Sequence, residues 1–193
     1  MSLFLCLAIV LAAYLTGSLP TALLYSRLFH RQDIREIGDG NMGARNTKRA
    51  YGFEAGAAVA LVDIAKGALV VWGAGLTDLA LGWQIAAAAA VILGHDFPIF
   101  AGFRGGQGLA ATTGVLFGFF PWQTLLGFLV YLVLFILLRN SDIAAGAGMG
   151  LIVLLQMLGR QPIALIVFSL GALLFIPFKK WLDRSRIETL RYS

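Results

Sequence analysis

Cysteine occurs once in this 193-residue chain and histidine only twice. A single thiol closes no internal disulfide and supplies no cysteine-ligated metal site, so Cys6, inside the first apolar stretch, reads as a packing residue. His30 and His95 lie far apart and no acidic cluster shares a face with either, so spacing argues for neither a zinc site nor a Ser-His-Asp triad. Charge is scarce as well: Asp, Glu, Lys and Arg make up 13% of residues and hydrophobic residues 59%, whereas an average soluble domain is about 25% charged. Such a chain needs lipid around it. Stretches of about 20 apolar residues, long enough to cross the roughly 30 Å hydrocarbon layer, recur from start to finish. Little remains for a soluble domain, and residues 1–193 read as one transmembrane unit.

The apolar pattern predicts an all-α integral membrane protein with about seven transmembrane helices, at residues 3–26, 54–73, 79–98, 109–120, 122–138, 143–159 and 162–178. The fourth is the shortest. No basic residue precedes the first, and it outruns a secretory h-region, so it reads as a retained span. Short turns at Gly75–Asp78, Pro121 and Gly159–Pro162 separate later spans. With the N-terminus outside, the inner segments hold Arg27, Arg31, Arg35, Arg45, Lys48, Arg49, Arg104, Arg139, Lys179, Lys180, Arg184, Arg186 and Arg191, and the outer turns only Arg160. Thirteen against one fits an odd number of crossings and a cytoplasmic C-terminus. Positive-inside topology and anionic head groups also account for the net charge of +5, so no nucleic-acid partner is implied.

The longest polar segment, RLFHRQDIREIGDGNMGARNTKRAYGF from Arg27 to Phe53, combines glycines with Asn41, Arg45, Asn46, Lys48 and Arg49. Gly38, Gly40 and Gly43 spell G-x-G-x-x-G, but a helix precedes them and no βαβ unit fits, so dinucleotide binding is rejected. What survives is physical: glycines let backbone N–H groups converge, and nearby arginines complete a cradle for an anion such as phosphate. The plainer reading is a loop carrying positive-inside charge, which needs no glycines at these positions. A second segment, GHDFPIFAGFRGGQGLAATTG from Gly94, sets Gly105, Gly106 and Gly108 beside Arg104 at the start of a helix. Amides there carry partial positive charge and make a second candidate phosphate holder. A tight re-entrant turn packed between helices also requires small residues, so both readings stay open.

Asp63 and Lys66 stand three residues apart inside the second span, on one helix face. Each charge costs roughly 2.5–3.5 kcal/mol near the bilayer centre, so the helix turns them inward, as an ion pair or as the floor of a polar pocket. His95, beside Asp96 and Pro98, reads first as a structural hydrogen-bonding residue and second as a group acting on substrate. His30, in a basic stretch, reads as solvated.

Taken in order, GSLPTALLYSRLF, DIREIGDGNMGARNTKRAYG, DIAKG and GHDFPIFAGFRGGQGLAATTG resemble the bacterial acyl-phosphate:glycerol-3-phosphate acyltransferases called PlsY. The likeness is strong over residues 17–114 and continues beyond as hydrophobic pattern. It implies transfer of a fatty acyl group from acyl-phosphate to the 1-hydroxyl of glycerol 3-phosphate, giving lysophosphatidic acid and phosphate, with no metal, CoA or other cofactor. It also implies a multi-pass protein of the inner cell membrane with a cytoplasmic active face. Its partners would be acyl-phosphate, a small polar acceptor and membrane lipid, with no obligate protein partner. Arg49, Gln107 and Asp39 become the candidate catalytic residues. Gly38, Gly40, Asn41, Gly43, Asn46, Lys66, His95, Arg104, Gly105, Gly106, Gly108 and Asp142 become the candidate substrate contacts.

The departures are specific. The family's Gly-Ser-Gly-Asn has Asp39 here, its Gly-Gly-Lys-Gly has Gln107, a serine expected after the fifth span aligns with Asp142 (Ser141 is one residue away), and FKKWLDRSRIETL lacks the family's late His and Asn. Two Ser-to-Asp changes and one Lys-to-Gln change move the pocket about three charge units toward negative, which weakens binding of a phosphorylated acceptor unless Lys179, Lys180, Arg184 or Arg186 compensates. Three readings follow: the family reaction, acyl transfer to a neutral or cationic acceptor, and a catalytically weak homologue that binds lipid or a partner. Seven unequal spans without a repeat argue against a transporter.

Overall fold

The computed structural model describes residues 1–184, which form nine α-helices and two short 3₁₀ turns and no strand. The helices are α1 (Leu3–Gly17), α2 (Thr21–His30), α3 (Ala44–Tyr51), α4 (Phe53–Gly75), α5 (Leu81–Asp96), α6 (Leu109–Phe119), α7 (Pro121–Leu138), α8 (Ser141–Leu158) and α9 (Ile163–Leu182). Six segments are long and apolar enough to cross a membrane: Leu3–His30 taken across its break, Phe53–Gly75, Leu81–Ala101, Pro121–Leu138, Ser141–Leu158 and Ile163–Leu182.

Three sequence expectations change. The span expected at 3–26 is two helices, because Pro20 has no N–H to give and pushes Leu19 out of the helical region. The inner loop 27–53 contains a helix of its own, α3, amphipathic enough to bury Asn46 and Thr47 while Lys48 and Arg49 stay exposed. The fourth expected span is only the 11 residues of α6, about 16 Å of helix and roughly half the hydrocarbon thickness. Other starts and stops follow local chemistry: Pro121 opens α7 at a position where its missing N–H costs nothing. Asn140 caps α8 by accepting from the amides of Asp142 and Ile143 at 3.0 and 3.2 Å.

Lipid tails are as apolar as leucine, so these helices cannot associate by burying leucines; they associate through close backbone approach at small residues. Leucines and phenylalanines accordingly point outward, as along α7, where Leu129, Val133, Ile136 and Leu137 are exposed. Gly114 of α6 faces the carbonyl of Ile64 on α4, and Gly67 of α4 faces Ala111 and Val115 of α6. Gly17 and Gly94 do the same for α1 against α5, meeting Val91 and Tyr14. Contacts rise together along each pair: Cys6 packs near Leu79, Ala13 near Ala87 and Ala90, and Gly17 on Val91. Hence α1 runs parallel to α5, and by the same logic α4 runs parallel to α6. Gly127 and Gly148 bring α7 and α8 together.

Replacing Gly114 by valine drives methyl groups into the α4 backbone and should cost about 1–3 kcal/mol, read as a lower midpoint of thermal unfolding in detergent. Gly146→Ala, where nothing lies within 4 Å, should leave that midpoint unchanged or slightly higher; equal losses in both variants would refute the packing argument.

Candidate active site

The first glycine-rich loop is built on Asp33. Its carboxylate accepts the Arg35 amide at 3.0 Å and pairs with the Arg35 and Arg27 guanidinium groups at 2.6 and 3.0 Å. The Arg35 hydrogen bond, helped by Arg27, holds the Asp33 carboxyl well below the usual carboxylate range. Asn46, reaching back from α3, then ties the loop internally: its amide nitrogen donates to the carbonyls of Ile37 at 2.8 Å and Ile34 at 3.4 Å, and its oxygen accepts from the Asp39 amide at 3.3 Å. A side chain on Gly38 would strike that oxygen. Asn46 therefore shapes the loop from beneath. Gly40 sits at φ +66°, a conformation that glycine adopts freely, and Gly43 precedes α3. Asn41 is buried with its side-chain oxygen unpaired. Asp39 accepts the Asn41 amide at 3.2 Å with one oxygen and Arg49 at 2.9 Å with the other.

The second loop folds back on the end of α5. The Gly106 amide donates to the His95 carbonyl at 3.1 Å. A Cβ at Gly105 would strike the His95 and Asp96 carbonyls, and one at Gly106 would strike the His95 ring at Nε2. Gly108 opens α6 at φ +76°, its missing Cβ only 2.9 Å from an Asp96 carboxylate oxygen. Asp96 is fully buried and neither oxygen has a hydrogen-bond partner. Gln107 is half-buried and Arg104 exposed. The two loops meet: Arg35 donates to the Ala101 carbonyl at 3.4 Å, and Ala101 packs in one cluster with Ile34, Met42 and Val59.

Below them lies the buried pair that the sequence places inside α4. Lys66 Nζ is 2.8 Å from Asp63 and donates to the carbonyls of Gly17 at 3.0 Å and Leu19 at 3.1 Å. Those three acceptors use all three ammonium hydrogens, so Lys66 anchors the α1–α2 break and has no donor left for a substrate. Asp63 also accepts from Thr21 at 2.8 Å and lies 3.5 Å from His95 Nδ1. His95 thus stands between Asp63 and the Gly105–Gly106 backbone. His30 is exposed, as expected, and also stacks on Tyr51 at 3.9 Å.

At the same end, Asp142 on α8 pairs with Arg45 of α3 at 3.0 Å and with Lys180 of α9. The acidic departures therefore sit among cations: Asp39 and Asp142 face Arg49, Arg45 and Lys180, two negative charges against three positive. The negative shift expected from sequence is offset by Arg45 and Lys180. Lys179 is buried, 2.5 Å from Asp183, with its ammonium 4.9 Å from the Phe97 ring centre. Arg186, another expected compensating residue, lies with Arg191 and the rest of residues 185–193 outside the described residues. Asp96 and Thr21 are polar residues here that sequence reasoning did not select, and Lys179, expected there to compensate the acidic departures, is spent on Asp183. Asp96 had one visible signal, an acidic residue at the end of an apolar helix.

Removing one member of a buried ion pair strands the other, so Lys66→Met should cost about 3–5 kcal/mol in detergent unfolding. Lys66→Met with Asp63→Leu should recover much of that loss. Gly106→Ala, whose methyl must push the loop off the buried His95 ring, should cost about 1–3 kcal/mol in the same unfolding measurement and lower turnover about a hundredfold in the folded protein; undiminished turnover would remove the loop from the site.

The chain matches the sequence profile described as glycerol-3-phosphate acyltransferase over residues 7–190. A protein named glycerol-3-phosphate acyltransferase from Nitrosospira multiformis is 37% identical over 190 residues, covering 95% of this chain and 92% of the relative. One of the same name from Listeria monocytogenes serovar 1/2a is 33% identical over 184 residues, covering 94% and 90%. Among solved structures, PlsY (YgiH), an integral membrane glycerol 3-phosphate acyltransferase, superposes in its glycerol 3-phosphate form with a TM-score of 0.85 at 29% identity, covering 95% of this chain and 92% of that one. Its lysophosphatidic acid form gives 0.82 at 28% identity over the same shares. With its profile match over nearly the whole length, two full-length relatives and a shared integral membrane fold, the chain belongs to the glycerol-3-phosphate acyltransferase family.

Proposed function

We propose that this protein transfers a fatty acyl group from acyl-phosphate to the 1-hydroxyl of glycerol 3-phosphate, a step of phospholipid synthesis, on the end of the bundle where the two glycine-rich loops meet. The observation that carries the reading is that convergence: Arg35 joins the loops at Ala101, with Arg45, Arg49 and Lys180 on the same face. Acyl-phosphate is already an activated donor, so the site has to position and to neutralise rather than supply a nucleophile. The acceptor hydroxyl attacks the acyl carbon, the bond from that carbon to the phosphate oxygen breaks, and the departing phosphate takes up the hydroxyl proton. The turn Gly105–Gly108 at the N-terminus of α6, pinned by the Gly106 amide on the His95 carbonyl, holds the donor phosphate through its remaining backbone amides. Arg49, braced by Asp39, faces charge that moves onto the leaving oxygen, and Gln107 contributes a neutral amide donor. Gly38, Gly40, Asn41 and Gly43 line the acceptor side.

The chain crosses the cytoplasmic membrane seven times, with its N-terminus outside and its active face and C-terminus in the cytoplasm. Parallel packing of α1 on α5 and of α4 on α6 supports alternate crossings, and α6, packed against α4, α5 and α7, buries most of its middle from Ala111 to Leu116 against protein. The concentration of basic residues at the loop end supports the orientation. A neutral or cationic acceptor loses its main argument once Asp39 and Asp142 are matched by arginine and lysine.

Purified protein given palmitoyl-phosphate should release phosphate only when glycerol 3-phosphate is present, with lysophosphatidic acid as the second product; release without acceptor dependence would point to another acceptor. Arg49→Gln removes a charge-assisted contact and should lower kcat/KM roughly ten- to a hundredfold.

A further inference from the structure

We propose that Asp142 is an internal counter-anion: its carboxylate occupies, between Arg45 and Lys180, the place taken by the phosphate group of glycerol 3-phosphate, so that the acceptor binds by exchanging one anion for another. The proposal rests on the assignment of this face as the acyltransferase site.

Each Asp142 oxygen holds a cation from a different element, Oδ1 the Arg45 guanidinium of α3 and Oδ2 the Lys180 ammonium of α9. The helix that carries Asp142 does not depend on it, since Asn140 already caps α8 through the Asp142 and Ile143 amides. Asp39 and Asp63 are committed differently. Asp39 spends one oxygen on the Asn41 amide and so shapes its own loop, and Asp63 is buried against Lys66. Asp142 alone among these three spends both oxygens on long, flexible side chains from elsewhere.

The side chains of Arg45, Asp142 and Lys180 are 37%, 53% and 46% exposed. Water and a small ligand reach all three, and pairs so exposed are weak and easily broken. A phosphate dianion offers Arg45 and Lys180 more charge and more acceptor oxygens than a carboxylate does, and guanidinium groups bind it in a forked geometry. It can therefore replace Asp142 and still bridge α3 to α9. Asp142 then sets the affinity, because its release opposes every binding event.

The test compares wild type with Asp142→Asn and Lys180→Gln. Two readouts are used: the KM for glycerol 3-phosphate in the palmitoyl-phosphate assay, and binding of inorganic phosphate followed by phosphorus NMR, which needs no turnover. Asp142→Asn should lower the KM and tighten phosphate binding by roughly three- to tenfold, the range expected from releasing two exposed pairs. Lys180→Gln should weaken phosphate binding, and in the double variant the gain from Asp142→Asn should shrink. Unchanged or weaker phosphate binding in a folded Asp142→Asn protein would overturn the proposal and leave Asp142 as a tie between helices. Should that variant not fold, Lys180→Gln decides: unaltered phosphate binding refutes the exchange. Tightened phosphate binding without any acyl transfer from palmitoyl-phosphate would uphold the exchange and sink the donor assignment instead.

Discussion

An ammonium group buried in a membrane bundle must find acceptors, and the arrangement around Lys66 follows from that requirement. A charge near the bilayer centre costs roughly 2.5–3.5 kcal/mol on insertion scales. The break between α1 and α2 turns the Gly17 and Leu19 carbonyls toward Lys66, which takes them up together with Asp63, the Leu19 carbonyl also accepting the Thr21 amide. Asp63 is oriented in turn by Thr21 and lies beside His95, whose ring is the surface on which Gly106 rests. One lysine thus links a helix break, the end of α5 and the floor of a glycine-rich loop. A proline that would be a defect in an isolated helix becomes the source of the carbonyls that the charge needs.

Glycine serves two separate purposes. Within the spans, Gly67 and Gly114, and Gly17 and Gly94, let helix backbones touch, which replaces the hydrophobic drive that lipid cannot provide. In the loops, Gly105, Gly106 and Gly108 let the chain fold flat against His95 and Asp96. The first set makes the bundle rigid; the second presents backbone amides from that rigid base. The proposed acyl transfer depends on such a base, because an acyl-phosphate donor is already activated and needs little beyond correct placement and charge compensation.

The acidic residues at the loop end acquire meaning from their neighbours. Counted alone, Asp39 and Asp142 make the site hostile to phosphate. In place, each lies against arginine or lysine from another element, with Arg45 and Lys180 supplied by α3 and α9. Formal charge counted only at the substituted positions misses this, since the cations that pair with them stand elsewhere in the chain, Arg45 and Arg49 on α3 and Lys180 on α9.

Composition and periodicity by themselves determined that the chain is an all-helical membrane protein and that Asp63 and Lys66 turn inward together, and they singled out the polar segments around Gly40 and Gly106 as candidates for chemistry. These conclusions are local: they depend on hydropathy over about 20 residues and on spacing within one helix. Only the tertiary structure decided that the first span is broken at Pro20, that residues 44–51 form a helix, that Asn46 braces its loop from beneath, and that Asp142 joins Arg45 to Lys180. Those facts depend on which distant carbonyl, ring or charge each side chain meets, and residues 97 or 38 positions apart in sequence become partners only when the helices pack.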